Sequence, residues 1–87
     1  MPYRIEIKRS AGKELERLPL TARRDVAAAI DALAQHPRGQ GSQKLSAHEN
    51  HYRVRAGNYR IVYTIRDDVL TVIVIAIGHR KDVYRGK

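Results

Sequence analysis

Gly57-Asn58 is the residue pair that most limits how this chain can fold. Both residues tolerate positive φ, as a two-residue hairpin turn requires. The sequence on either side alternates, with Tyr52-Arg53-Val54-Arg55 before the pair and Tyr59-Arg60-Ile61 after it. A two-residue turn sets Arg55 opposite Arg60, Val54 opposite Ile61 and Tyr52 opposite Tyr63. Side chains alternate between the faces of a strand. Tyr52, Val54, Tyr59, Ile61, Tyr63 and Ile65 therefore share one face, and Arg53, Arg55 and Arg60 share the other. Like charges directly opposite one another weaken a sheet by roughly 0.2–1 kcal/mol. Arginine stems lying over Val62 and Ile75, with their heads in water, account for one such residue. Three on one face point to an anion site.

The remaining elements follow from periodicity. Tyr3-Arg4-Ile5-Glu6-Ile7-Lys8 alternates as a half-buried strand with Tyr3, Ile5 and Ile7 inward. Ser10 is read as the N-cap of a short helix over residues 11–17, with Leu15 and Leu18 as its apolar stripe. Pro19 breaks the chain. Thr21 to Gln35 is a helix, because Ala22, Val26, Ala27, Ile30, Leu33 and Ala34 fall on one face. His36-Pro37-Arg38-Gly39 stops it, and residues 38–50 read as a polar loop containing Lys44. Strands follow at Tyr52–Arg55, Tyr59–Arg66 and Val69–Ile77. A two-residue turn at Asp67-Asp68 puts Leu70, Val72 and Val74 on the core face and Ile73 and Ile75 beside the arginines. The expected fold is α+β, in the order β-α-α-β-β-β. A helical hairpin packs on one face of a mainly antiparallel four-stranded sheet, and residues 1–87 form a single domain.

Composition narrows the function. Seventeen Lys and Arg against nine Asp and Glu give a formal net charge of +8, which attracts phosphate and other polyanions. The excess is concentrated: residues 51–87 hold eight basic and three acidic residues, residues 1–50 nine and six. The chain has no Cys, which excludes disulfides and zinc–thiolate sites. No stretch has the form of a signal peptide or a membrane span, so a cytoplasmic protein without a membrane partner is expected. There is no Gly-rich phosphate loop and no recognisable Ser/His/Asp set. His48, Glu49 and His51 lie close in sequence but in a polar loop, and neither a metal nor another cofactor is expected. Phosphodiester chemistry here would be metal-independent. Arginines would neutralise the developing charge, and an RNA 2′-OH would be the internal nucleophile. In the C-terminal segment, His79 carries an imidazole, the side chain type suited to proton transfer near neutral pH, and Tyr84 is suited to stacking on a base.

Three stretches of the sequence resemble the RelE/ParE toxin superfamily, in its RelE-type form. They are Tyr52 to Tyr63, the segment Gly78-His79-Arg80-Lys81-Asp82-Val83-Tyr84-Arg85, and the opening from Tyr3 to Pro19. The resemblance spans nearly the whole chain. It implies a type II toxin that cuts mRNA in the ribosomal A site through the 2′-OH and so inhibits translation. It also implies rRNA contacts on the ribosome and a cognate antitoxin, with which the toxin forms a hetero-oligomer. By motif position it implies that Arg53 and Arg55 contact the scissile region, that Arg60 binds the phosphate, that Arg80 stabilises charge and protonates the leaving group, and that Tyr84 orients the mRNA. Lys44, Lys81 and Arg85 join Arg53, Arg55 and Arg60 as expected RNA contacts. The sequence departs from the pattern at Arg53 and Arg55, where well-studied members carry lysines. The second of those lysines is a proposed general base, and arginine does not readily give up a proton. His79 is the candidate base in its place. Two other readings are a ParE-like gyrase inhibitor and a non-catalytic RNA- or ribosome-binding module. ParE-like proteins generally lack the full set of Arg53, Arg55, Arg60, Arg80 and Tyr84.

Overall fold

The computed structural model describes residues 2–39, 41–45 and 51–79. His48, Glu49, Arg80, Lys81, Tyr84 and Arg85 lie outside the described residues. In chain order the elements are β1 (Arg4–Ile7), α1 (Arg9–Glu16), α2 (Leu20–Gln35), β2 (Gln43–Lys44), β3 (His51–Ala56), β4 (Tyr59–Arg66) and β5 (Thr71–His79). They build one sheet in the order β1-β5-β4-β3-β2. β1 runs parallel to β5, and the other neighbours are antiparallel.

Alternation explains the core. Ile61, Tyr63 and Ile65 on β4 are buried with Val72, Val74 and Ile77 on β5, and the helices add Ala11, Val26, Ile30 and Leu33. Tyr52, Val54 and Tyr59 pack against this cluster, as the hairpin alternation predicts. The Gly57-Asn58 register also holds: Arg55 pairs with Arg60, Val54 with Ile61 and Tyr52 with Tyr63. Of the two turn residues, only Gly57 takes positive φ, at 63°. That is where a side chain would be strained and glycine is not.

Several local expectations are corrected. Among the described residues the sheet has five strands rather than four, because Gln43-Lys44 pairs with β3 inside the stretch read as a loop. Two residues are too few to show a period. Ser10 is not an N-cap. The cap is Lys8, and α1 starts at Arg9. The Lys8 N–H still donates to the Val74 carbonyl at 2.9 Å, so the β1–β5 ladder fixes where the helix can begin. Ile7 is 41 % exposed rather than inward, near the end of an edge strand. The β4–β5 connection is four residues long, with a 3₁₀ turn at Asp67–Val69. Two extra residues preserve parity, so Val72 and Val74 keep the core face. Leu70 falls in the turn at φ 49° and is 41 % exposed.

A β-bulge interrupts the β4–β5 ladder. Tyr63 pairs with Val74 but Val62 pairs with Ala76, so Ile75 has no opposite number on β4. Beyond it Ile77 turns to the core opposite Ile61, and Gly78 stands opposite Arg60. The neighbours of Arg60 along β5 are therefore small, and Ile75 does not stand opposite it. β1 has ended by this point, and α1 takes over its role: Glu14 Oε1 accepts a hydrogen bond from the Ile77 N–H at 2.9 Å. A backbone donor that the ladder would leave open is thereby satisfied.

The chain leaving α2 is tied down at its start. Arg38 donates through Nη1 and Nη2 to both Asp67 carboxylate oxygens, at 3.2 and 2.7 Å, and through Nε to the Tyr52 hydroxyl at 3.2 Å. Tyr3 donates to Asp67 Oδ1 at 2.7 Å. The hydrogen bonds from Arg38 and then from Tyr3 hold the Asp67 carboxyl below the usual carboxylate range. A depressed pKa means stability that is present above the unfolded value, about 3.9, and lost as pH falls through the folded value. Denaturant midpoints should therefore drop on acidification below about pH 4, with a shallower drop in Asp67→Asn. Equal slopes in the two proteins would remove this clasp from the acid response.

Candidate nucleic-acid interface

Each residue of the arginine face is placed by the hairpin. Arg55 and Arg60 are cross-strand partners, and Arg53 lies opposite Val62 on β4 and Gln43 on β2. Arg53 and Arg60 are half-buried and Arg55 is exposed. Together they line a groove of about 310 Å³ with Gly41, Gln43 and Val54. None of these lining residues is a carboxylate, so the groove concentrates positive charge. Arginine is always charged at working pH and presents a planar fork of donors suited to phosphate oxygens. Such a site can bind a phosphodiester and stabilise extra negative charge on it. Among the described residues that line it, none has a side chain able to take up a proton.

The structure brings Arg53, Arg55 and Arg60 together, and it separates two other sequence-selected residues from them. Lys44 pairs with Tyr52 and so belongs to the helix-side face. His79 pairs with Tyr59, which meets it edge-on with ring centroids 5.8 Å apart. The bulge shifts parity by one, which puts His79 on the Tyr59 face and Gly78 on the arginine face. His79, the candidate base, thus stands on the opposite face of the sheet from Arg53, Arg55 and Arg60. Arg80, Lys81, Tyr84 and Arg85 fall outside the described residues.

Gln43 was missed by the sequence reading. Its Oε1 accepts hydrogen bonds from Arg53 Nε, at 3.0 Å, and from Arg53 Nη2. The neighbouring Lys44 drew attention by its charge, while the face of a two-residue strand cannot be read without its partner. The groove wall before Gln43 is a tight turn. Ser42 donates from N and Oγ to the Gly39 carbonyl at 3.1 and 2.8 Å, and Gly41 holds φ at 93°. Among the described residues no group of three or more His, Asp or Glu is placed to hold a metal ion. Among the same residues no helix is long and apolar enough to cross a membrane.

Residues 5–84 match the family model for the ParE toxin of type II toxin–antitoxin systems. The chain is 30 % identical over 89 residues to toxin RelG of Mycobacterium tuberculosis, covering 98 % of this chain and 99 % of that protein. Its fold superposes on the toxin–antitoxin complex RelBE2 of the same organism with a TM-score of 0.80. The sequences there are 28 % identical, covering 92 % of this chain and all of that one. An archaeal RelE–RelB complex from Pyrococcus horikoshii gives a TM-score of 0.82 at 25 % identity, covering 94 % and 99 % of the two chains.

Proposed function

This chain belongs to the RelE/ParE superfamily of type II toxin–antitoxin toxins, and from that membership we propose that its arginine face binds mRNA on the ribosome and promotes cleavage in the A site. The observation that carries the reading is the cross-strand pair Arg55–Arg60, with Arg53 on the same face of a groove. In this reaction the RNA 2′-OH attacks the adjacent phosphorus as the bond to the 5′-oxygen breaks. A cyclic phosphate and a 5′-hydroxyl result. Charge builds on the non-bridging oxygens during attack, and the guanidinium groups are arranged to stabilise it. They act by neutralisation and not by removing the 2′-OH proton, since arginine has no accepting atom.

The roles of Arg80 in leaving-group protonation, of Tyr84 in orienting the mRNA, and of Lys81 and Arg85 in RNA contact rest on the family resemblance. A cognate antitoxin is the proposed protein partner, because the M. tuberculosis and P. horikoshii neighbours are toxin–antitoxin complexes. In this reading the toxin acts in the cytoplasm.

Primer-extension mapping of cellular mRNA after induction is expected to show new ends at codon-related positions within translated frames. The matched family model is that of ParE, which favours a gyrase-directed toxin as the second reading. DNA damage without RNA cuts would establish that one and overturn ours. Neither kind of damage would leave a non-catalytic binding module.

A further inference from the structure

We propose that Gln43 is a positioning residue that holds the Arg53 guanidinium in the groove in the orientation it needs for RNA. The inference rests on the reading of the arginine face as an RNA site. Gln43 and Arg53 are cross-strand partners on that face, and both line the groove. Two N–H groups of one guanidinium converge on a single amide oxygen, which fixes the plane of the group and not merely its distance. An arginine has no acceptor, so Gln43 must turn its oxygen toward Arg53.

The backbone around Gln43 is itself anchored. The Ser42 bonds to Gly39 lie on one side. On the other, the Leu45 N–H donates to the His51 carbonyl at 2.8 Å and continues the ladder. A two-residue strand adds little to the sheet, but it delivers one side chain to the groove.

The chemistry of that side chain is specific. A glutamate would align Arg53 equally well but would cancel its charge and repel phosphate. A neutral amide aligns it while leaving the positive charge intact. An arginine held before the ligand arrives has less rotamer freedom to lose on binding. Gln43 thus acts on RNA through Arg53.

The test is a double-mutant cycle on the purified toxin, read as affinity for a short single-stranded oligoribonucleotide. Gln43→Ala is expected to weaken binding about three- to tenfold in the natural background, the range expected for releasing one rotamer-rich side chain. In an Arg53→Met background the same change should cost less than about twofold, because residues acting as a unit are not additive. Equal losses in both backgrounds, or no loss in the first, would overturn the proposal. The Arg53 Nε–H resonance of the free protein supplies a readout independent of RNA. Its hydrogen exchange should speed up in Gln43→Ala and stay slow in Gln43→Glu, which retains an acceptor. If the natural protein shows this protection but does not cleave ribosome-bound mRNA, the RNA reading fails while the anchoring of Arg53 stands. Unprotected Arg53 in the natural protein would sink the anchoring itself.

Discussion

Replacing Arg60 with Ala is expected to slow single-turnover cleavage of ribosome-bound mRNA by about 10²–10³-fold, the cost of removing one preorganised charge-stabilising donor. Arg60 is half-buried, faces Arg55 across the hairpin and Gly78 across β5, and lines the groove. Partial burial raises the value of its charge, because screening by water is weaker there. Two further measurements separate this effect from misfolding. The thermal midpoint of Arg60→Ala should change little, since relief of the like-charge pair with Arg55, about 0.2–1 kcal/mol, offsets lost packing of the arginine stem. Arg60→Lys should recover part of the rate but not all, because lysine restores the charge without the planar fork. A cleavage rate within about twofold of the natural protein, judged against that catalytic range, would remove Arg60 from the chemistry.

The second large effect is on stability. Tyr63→Ala should destabilise the fold by about 3–5 kcal/mol, the range for truncating a buried aromatic. Small domains have about 5–15 kcal/mol in all. Tyr63 is fully buried on β4, stacks on Tyr52 with centroids 5.8 Å apart, and donates from its hydroxyl to the Pro37 carbonyl at 2.7 Å. Burial pushes the hydroxyl pKa up, so it stays protonated and remains a donor. Tyr63→Phe keeps the ring and isolates the hydrogen bond. It should cost about 1–3 kcal/mol, the penalty of leaving a buried carbonyl without its partner. Urea unfolding midpoints at constant m-value measure both. If Tyr63→Phe matches the natural protein, the Pro37 bond contributes nothing to holding the chain that leads to the groove.

The arginine face was legible because its determinants are local. A glycine-containing turn fixed the register, and alternation on both strands assigned the faces without reference to the rest of the chain. Helix α2 was legible for the same reason, since its apolar face repeats within one segment. What stayed hidden depends on distant partners. The parallel pairing of β1 with β5 leaves no mark in either strand. Ser10 looked like a cap, but where α1 begins is decided by a bond to Val74. Gln43 acquires its face from Arg53, ten residues away on another strand. The bulge at Ile75 is hidden because Val72-Ile73-Val74-Ile75-Ala76-Ile77 is apolar throughout. A uniform run carries no phase, and phase is what separates His79 from the arginines.

That same bulge makes β5 unequal in its tolerance of length change. Ile75 has no opposite number on β4, whereas Val74 and Ala76 are already matched to Tyr63 and Val62. Deleting Ile75 would close the ladder into a regular one, with every retained side chain still on its own face. Deleting Ile73, only two residues earlier, would leave Val72 and Val74 unable to keep both their partners and their faces unless the bulge moved. A one-residue deletion in this strand is therefore accommodated at Ile75, where it would lower the local twist and leave Gly78 opposite Arg60.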